Sequence, residues 1–166
     1  MEKFYKKIEK ICKENRKVAM FIDMDGTIVE YKVFLAGKIS TKTKGEFLNA
    51  EPVEVVIENL RKINKIENID LYILSLSKSS IIAEEKKQWL HKYADFINEE
   101  NFIIINKECG EYNKENRDYI KLEKMLEKFG EYDYLILLDD DHEILKNTQK
   151  QLNEKGCVFH VSSAII

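Results

Sequence analysis

A chain of 166 residues, 44% hydrophobic and 34% charged, can bury one substantial core but is too short for two ordinary domains. Its net charge of −3, with Lys and Glu mixed throughout, offers no basic face for nucleic acid. No apolar stretch approaches membrane-spanning length, and residues 1–16 lack the continuous apolar run of a signal peptide, so the cytoplasm is the default expectation. Cys12, Cys109 and Cys157 are widely separated and form no CxxC pair, which argues against a disulfide framework or a zinc site.

In chain order, Phe4, Ile8, Ile11 and Cys12 recur at helical spacing, predicting an amphipathic helix over 3–15. The apolar run Val18-Ala19-Met20-Phe21-Ile22 predicts a first strand over about 18–23. Residues 30–51 show no helical period, and alternation over Lys38-Ile39-Ser40-Thr41-Lys42-Thr43 suggests a hairpin flap, with Tyr31, Phe34 and Phe47 as its small hydrophobic anchor. After Pro52, which suits a helix start, Val53, Val56, Ile57, Leu60 and Ile63 share one face. Leu71-Tyr72-Ile73-Leu74 reads as a second strand and residues 75–80 as a polar loop. A helix follows over about 82–96, with Trp89 expected in the core.

Phe102-Ile103-Ile104-Ile105 is the third strand, and a helix follows over 118–129, stopped near Gly130. Tyr134 to Leu138 is the fourth strand, ending in Asp139-Asp140-Asp141. A helix over about 143–154 leads to a fifth strand at Cys157-Val158-Phe159-His160-Val161. Continuous apolar strands alternating with helices predict a Rossmann-like three-layer α/β/α fold on a five-stranded parallel sheet. Residues 1–166 are read as one domain, with an N-terminal helix in 1–17 and a flap or minimal insert at 30–52.

The chemistry is concentrated in Asp23-Met24-Asp25-Gly26-Thr27, directly after the first strand. Residues i and i+2 of an extended chain face one side, so Asp23 and Asp25 can share a small site while Gly26 lets the backbone turn. One carboxylate can attack phosphorus, the second can carry the proton, and the pair makes a hard-oxygen site for magnesium. Taken alone, the same residues suit an ordinary Asp-Gly turn. In a parallel α/β sheet, however, ligands gather beyond the carboxyl ends of the strands. Asp23, Ser75, Asp139 and Asp140 all close predicted strands. Carboxylates so crowded repel one another unless a cation compensates, which argues for Mg2+.

These residues resemble the haloacid dehalogenase superfamily of phosphohydrolases, in a minimal-cap form, from about residue 18 onward. The Asp-x-Asp-Gly-Thr signature is matched in full by residues 23–27, and the family's Ser or Thr closing the second strand by Ser75, with Ser77 as competitor. The family's lysine is similar to Lys114 in Lys114-Glu115-Asn116-Arg117-Asp118, with both prolines of the usual pattern replaced and Lys107 as a substitute. Its acidic cluster is similar to Asp139-Asp140. The resemblance implies strand order 3-2-1-4-5, Asp23 as nucleophile and Asp25 as general acid and base. It also implies Ser75 and Lys114 as phosphate-binding residues and Asp23, Asp25, Asp139 and Asp140 around Mg2+, Asp25 through its carbonyl. Asp141 is assigned instead to capping the next helix.

That resemblance implies a magnesium-dependent phosphatase acting on a phosphate monoester through an aspartyl phosphate. With no room for a cap domain, the open site suits a large or protruding phosphorylated substrate, or a second subunit completing the lid. A narrower resemblance, carried by Ala83-Glu84-Glu85-Lys86-Lys87-Gln88-Trp89-Leu90, is to the 5'(3')-deoxyribonucleotidase-like branch, which adds a nucleotide to sugar phosphates and phosphorylated macromolecules as substrate classes. The rival expectation is a non-catalytic binding or regulatory domain presenting the helix at 3–15, since fold does not establish activity. His91, His142 and His160 show no ligand spacing.

Overall fold

The computed structural model describes residues 2–30, 45 and 47–165. The hairpin expected over residues 38–43, and with it Tyr31 and Phe34, lies outside the described residues. Helix α1 (Glu2–Glu14) precedes strand β1 (Val18–Ile22), whose five residues are all buried. Then follow α2 (Glu54–Ile63), β2 (Ile69–Ser77), α3 (Ser80–Tyr93), β3 (Phe102–Asn106), α4 (Ile120–Leu126), β4 (Tyr134–Asp139), α5 (His142–Leu152), β5 (Gly156–His160) and the short α6 (Ser162–Ile165).

The strands form one parallel sheet in the order β3-β2-β1-β4-β5, as expected. Side chains alternate along β1 and divide the core into two layers. Val18, Met20 and Ile22 pack with Phe4 and Ile8 of α1, Val56 and Leu60 of α2, Trp89 and Leu90 of α3, and Ala164 of α6. Ala19 and Phe21 face the opposite way, toward Ile120 and Met125 of α4 and Ile144 and Leu145 of α5. Each fully buried aliphatic side chain contributes about 1.5–3 kcal/mol relative to exposure, so both helical layers are held by the sheet they cover. Helix α1 belongs to this core: Phe4, Ile8 and Cys12 are buried, so these residues of its apolar face are turned to the sheet.

Several elements depart from the sequence reading: α6 is not anticipated by it, and α3 ends at Tyr93 instead of about 96. Strand β2 runs on to Ser77 through the predicted loop, because Ser75 and Ser77 stay in register with Ile104 and Asn106 of β3. Helix α4 starts at Ile120, not 118. Asn116 and Asn113 cap turns there, Asn113 N donating to Asn116 Oδ1 and Glu115 N to Asn113 Oδ1. Trp89 is core as expected, and its indole N–H donates to Ala50 O at 2.9 Å. The three cysteines are free. Among the described residues, no helix is long and apolar enough to cross a membrane.

The amino edge of the sheet is fastened by side chains that reach main-chain atoms. Asn68 Nδ2 donates to Cys12 O, Asn15 O and Arg16 O, and Asp133 accepts from Arg16 N and Lys17 N at 3.0 and 2.7 Å. Buried Tyr132 donates to Asp70, and its hydroxyl also meets that of Tyr72 at 2.8 Å. These contacts tie α1, β1, β2 and β4 together at the end remote from the strand carboxyl termini.

Candidate active site

Strand order reverses beside β1, which has β2 on one side and β4 on the other. The carboxyl ends there bring Asp23 and Asp139 together, and Asp23 N continues the ladder by donating to Leu138 O at 2.9 Å. Both carboxylates belong to the layer covered by α4. From that helix Lys121 reaches in, donating to Asp23 Oδ1 at 2.6 Å and to Asp139 Oδ2 at 2.7 Å. All three side chains are buried. Oxygen atoms of Asp23, Asp139 and Asp140 lie within 4.8 Å of one another.

One amine shared between two buried carboxylates sets the balance of charge at Asp23 and Lys121. Burial pushes Asp23 up, Lys121 pulls it back, and Asp139 and Asp25 raise it again, to about 7. For Lys121 burial acts downward, but Asp23 and Asp139 together outweigh it and hold the amine above its ordinary value. The lysine gains from both partners; Asp23 gains from one cation while facing other anions. Asp140 is also raised, first by burial and then by Asp139.

The turn after Asp23 is built on Met24 O, which accepts from the N–H groups of Thr27, Ile28 and Val29 at 2.9–3.1 Å. Gly26 sits at φ +78°, and a Cβ there would lie 2.8 Å from Asp140 Cγ. The glycine is required both for the left-handed backbone and for the space Asp140 occupies. Gly26→Ala is therefore expected to displace Asp140 and to destabilise the fold by more than about 1 kcal/mol, read as a lowered melting temperature; an unchanged melting temperature would show that Asp140 yields to the added Cβ at no cost.

Asp25 is half-exposed and is held by a second buried amine. Lys86 of α3 donates to Asp25 Oδ2, to Ser75 Oγ at 2.9 Å and to Leu76 O at 2.7 Å. The preceding residue, Glu85, is also buried and accepts from Gly45 N and from Phe47 N, the latter at 3.1 Å. Phe47 packs edge-on against Trp89, in keeping with an anchoring role. Asp23, Asp25, Lys121, Asp139 and Asp140, with Arg117 at the rim, line a cleft of about 290 Å³. A groove of about 530 Å³ beside Phe129 and residues 151–155 is larger, yet it contains none of the carboxylates gathered at the strand ends.

Four of the expected site residues, Asp23, Asp25, Asp139 and Asp140, meet at this cleft. Ser75, expected to bind phosphate, does not line the cleft: its hydroxyl is fully buried and accepts from Lys86, while Ser77 donates to Ser79 O at 2.8 Å. Lys114 does not reach Asp23. It lies exposed in the turns before α4, as does Lys107 beyond β3, and the amine at Asp23 is that of Lys121. Because residues 114–119 form turns, the first helical turn begins later than the resemblance suggested and carries a different lysine inward. Asp141 caps α5, accepting from Glu143 N and Ile144 N at 3.0 and 3.3 Å, and also pairs with Arg117. His142 stacks on His160 at 4.6 Å, and His91 pairs with Glu99.

Sheet order and the position of the acidic cleft define a haloacid-dehalogenase-like fold. A solved structure of the HAD domain of effector protein Lem4 from Legionella pneumophila, an inactive mutant, superposes with a TM-score of 0.50 at 12% identity, covering 87% of this chain and 84% of that one. Another structure of the same domain gives a TM-score of 0.46 at 13% identity, covering 87% and 85%. No protein-family model and no curated protein matches the chain.

Proposed function

We propose that the protein is a magnesium-dependent phosphatase that hydrolyses a phosphate monoester through a phosphorylated Asp23. The observation that carries this reading is the Asp23–Lys121–Asp139 arrangement at the sheet's switch point, with Asp25 facing the same cleft.

The donor set fits Mg2+: hard carboxylate oxygens from Asp23, Asp139 and Asp140 lie close together, and Asp23 is held up near neutrality by burial without a second cation. The carbonyl of Asp25, expected from the resemblance, would complete the protein's share of ligands. When bound, Mg2+ supplies positive charge against the phosphoryl oxygens.

Asp23 attacks phosphorus in line as the bond to the ester oxygen breaks. Asp25 gives its proton to the departing alcohol, then takes one from the water that attacks the aspartyl phosphate. Lys121 keeps the nucleophile oriented and offsets the charge that accumulates near it. Ser75 is not placed to touch the phosphate: it holds Lys86 from β2 and does not line the cleft. Nucleotides, sugar phosphates and phosphorylated macromolecules are the substrate classes to separate, and a second copy of the chain closing the open cleft belongs to the same proposal.

A panel of phosphate monoesters assayed with Mg2+ and with EDTA tests the reading. Hydrolysis that EDTA abolishes and Mg2+ restores is the expected result; failure to hydrolyse any ester above background overturns it. Since Asp23 must lose its proton to bind the ion, Mg2+ affinity should strengthen as pH rises toward about 7 and level off above it. Calorimetry in buffers of different ionisation enthalpy should detect proton release below that pH.

A further inference from the structure

We propose that Lys86 is a positioning residue for Asp25, fixing the proton-carrying carboxylate to the sheet; this rests on the phosphatase reading above. Its side chain is only 2% exposed, whereas that of Asp25 is 45% exposed. A buried ammonium is costly unless its protons are satisfied, and the three protons of Lys86 meet three acceptors: Asp25 Oδ2, Ser75 Oγ and Leu76 O.

Two of those acceptors belong to β2, a strand paired on both sides. Asp25 itself stands on the turn after β1. Through Lys86 its carboxylate is therefore referenced to the rigid sheet and not to its own loop. One oxygen is held by the amine, which leaves Oδ1 to carry the proton. A general acid must stay within hydrogen-bond reach of the leaving oxygen, and small displacements of such a group are costly to rate.

Lys86 and Lys121 thus have separate tasks. Lys121 lines the cleft and serves the nucleophile; Lys86 stands behind the cleft with its donors committed. The Phe47 ring, 5.1 Å from Lys86 Nζ, closes over the amine from the side of the insert.

The chemistry makes the role measurable. In the first half-reaction the Asp23–phosphorus bond forms, the phosphorus–ester oxygen bond breaks and the Asp25 proton goes to the leaving oxygen. In the second, water loses a proton to Asp25, its oxygen bonds to phosphorus and Asp23 is released with inorganic phosphate. A good leaving group such as p-nitrophenolate needs little help in the first half, and phenolate needs more.

Lys86→Met should therefore lower kcat/KM for phenyl phosphate at least about tenfold more than for p-nitrophenyl phosphate. With the nitrophenyl ester it should also give a burst of about one equivalent followed by slow turnover, because the second half still needs Asp25. Equal losses on the two esters, or no loss, would overturn the proposal. Lys86→Gln, which keeps donor groups, provides the same comparison if the methionine variant does not fold, and should show a smaller leaving-group dependence where both fold. Wild-type protein inactive on these and on every other monoester of the panel, with Mg2+ present, would instead remove the phosphatase reading on which the inference stands.

Discussion

Asp23→Asn is expected to lower turnover of any accepted phosphate ester at least about 10³-fold while raising stability of the metal-free protein near pH 8. The amide has the carboxylate's shape, and its oxygen can still accept from Lys121, so the fold and cleft survive. What disappears is the proposed nucleophile. The stability effect follows from the proton linkage. Asp23 has a folded pKa of about 7 against an ordinary value of 3.8, so the folded state prefers the protonated acid. Its charge imposes no penalty below about pH 4, an increasing penalty from there to about 7, and the full penalty above. The gain in melting temperature for Asp23→Asn should therefore be larger at pH 8 than at pH 4, both in EDTA. Opposite signs in activity and stability would mark Asp23 as a group retained at the expense of the fold. A variant with wild-type turnover would refute the nucleophile assignment, and a gain independent of pH would refute its raised pKa.

Lys121→Met is the second large effect, and it acts on both properties in the same direction. The substitution fills most of the space left by the lysine but leaves Asp23 and Asp139 facing each other without their shared cation. Breaking a buried pair on one side costs about 3–5 kcal/mol, which for a domain of this size lowers the melting temperature by about 10 °C. Added Mg2+ should recover part of that loss, since an ion bound only by the folded state stabilises it. On the proposed mechanism the same variant should also fail to hydrolyse phosphate esters even with saturating Mg2+, because the ion would not take over the amine's place beside Asp23. Lys114→Ala is the control: melting temperature and activity should stay at wild-type values. A Lys114 variant as impaired as the Lys121 variant would reverse the assignment of the two lysines.

Those two lysines also show what a single sequence could and could not reveal. The first strand and its Asp-x-Asp-Gly-Thr ending were readable because a fully buried strand must be apolar throughout and its polar residues must wait for the end. The parallel sheet followed from alternation, and its strand order from the family resemblance. Lys121 was missed because a lysine in a charged helix usually lies in water, and Lys114 stood where the family pattern suggested one. A physical signal was nevertheless present: Lys121 lies four residues before buried Met125 and between buried Ile120 and Leu122. Lys86 carries the same signal, three and four residues before Trp89 and Leu90. A cation at a core position of an amphipathic helix needs a buried partner, so both positions called for carboxylates nearby. Ser75 and Ser77 misled in the other direction. Hydroxyls in a row resemble a loop, and only the pairing with β3 shows that the strand carries them.

At the opposite edge of the sheet, Asn68, Asp133 and the Tyr132–Tyr72–Asp70 group hold α1, β1, β2 and β4 without contributing a side chain to the cleft. The chain is thus clasped at one end and carries its acidic cleft at the other. Insertions, deletions and exchanges in the loops at the cleft end can redraw the approach to Asp23 while the clasp keeps the strands in register. Such a layout gives the fold room to acquire new substrates without having to relearn how to fold.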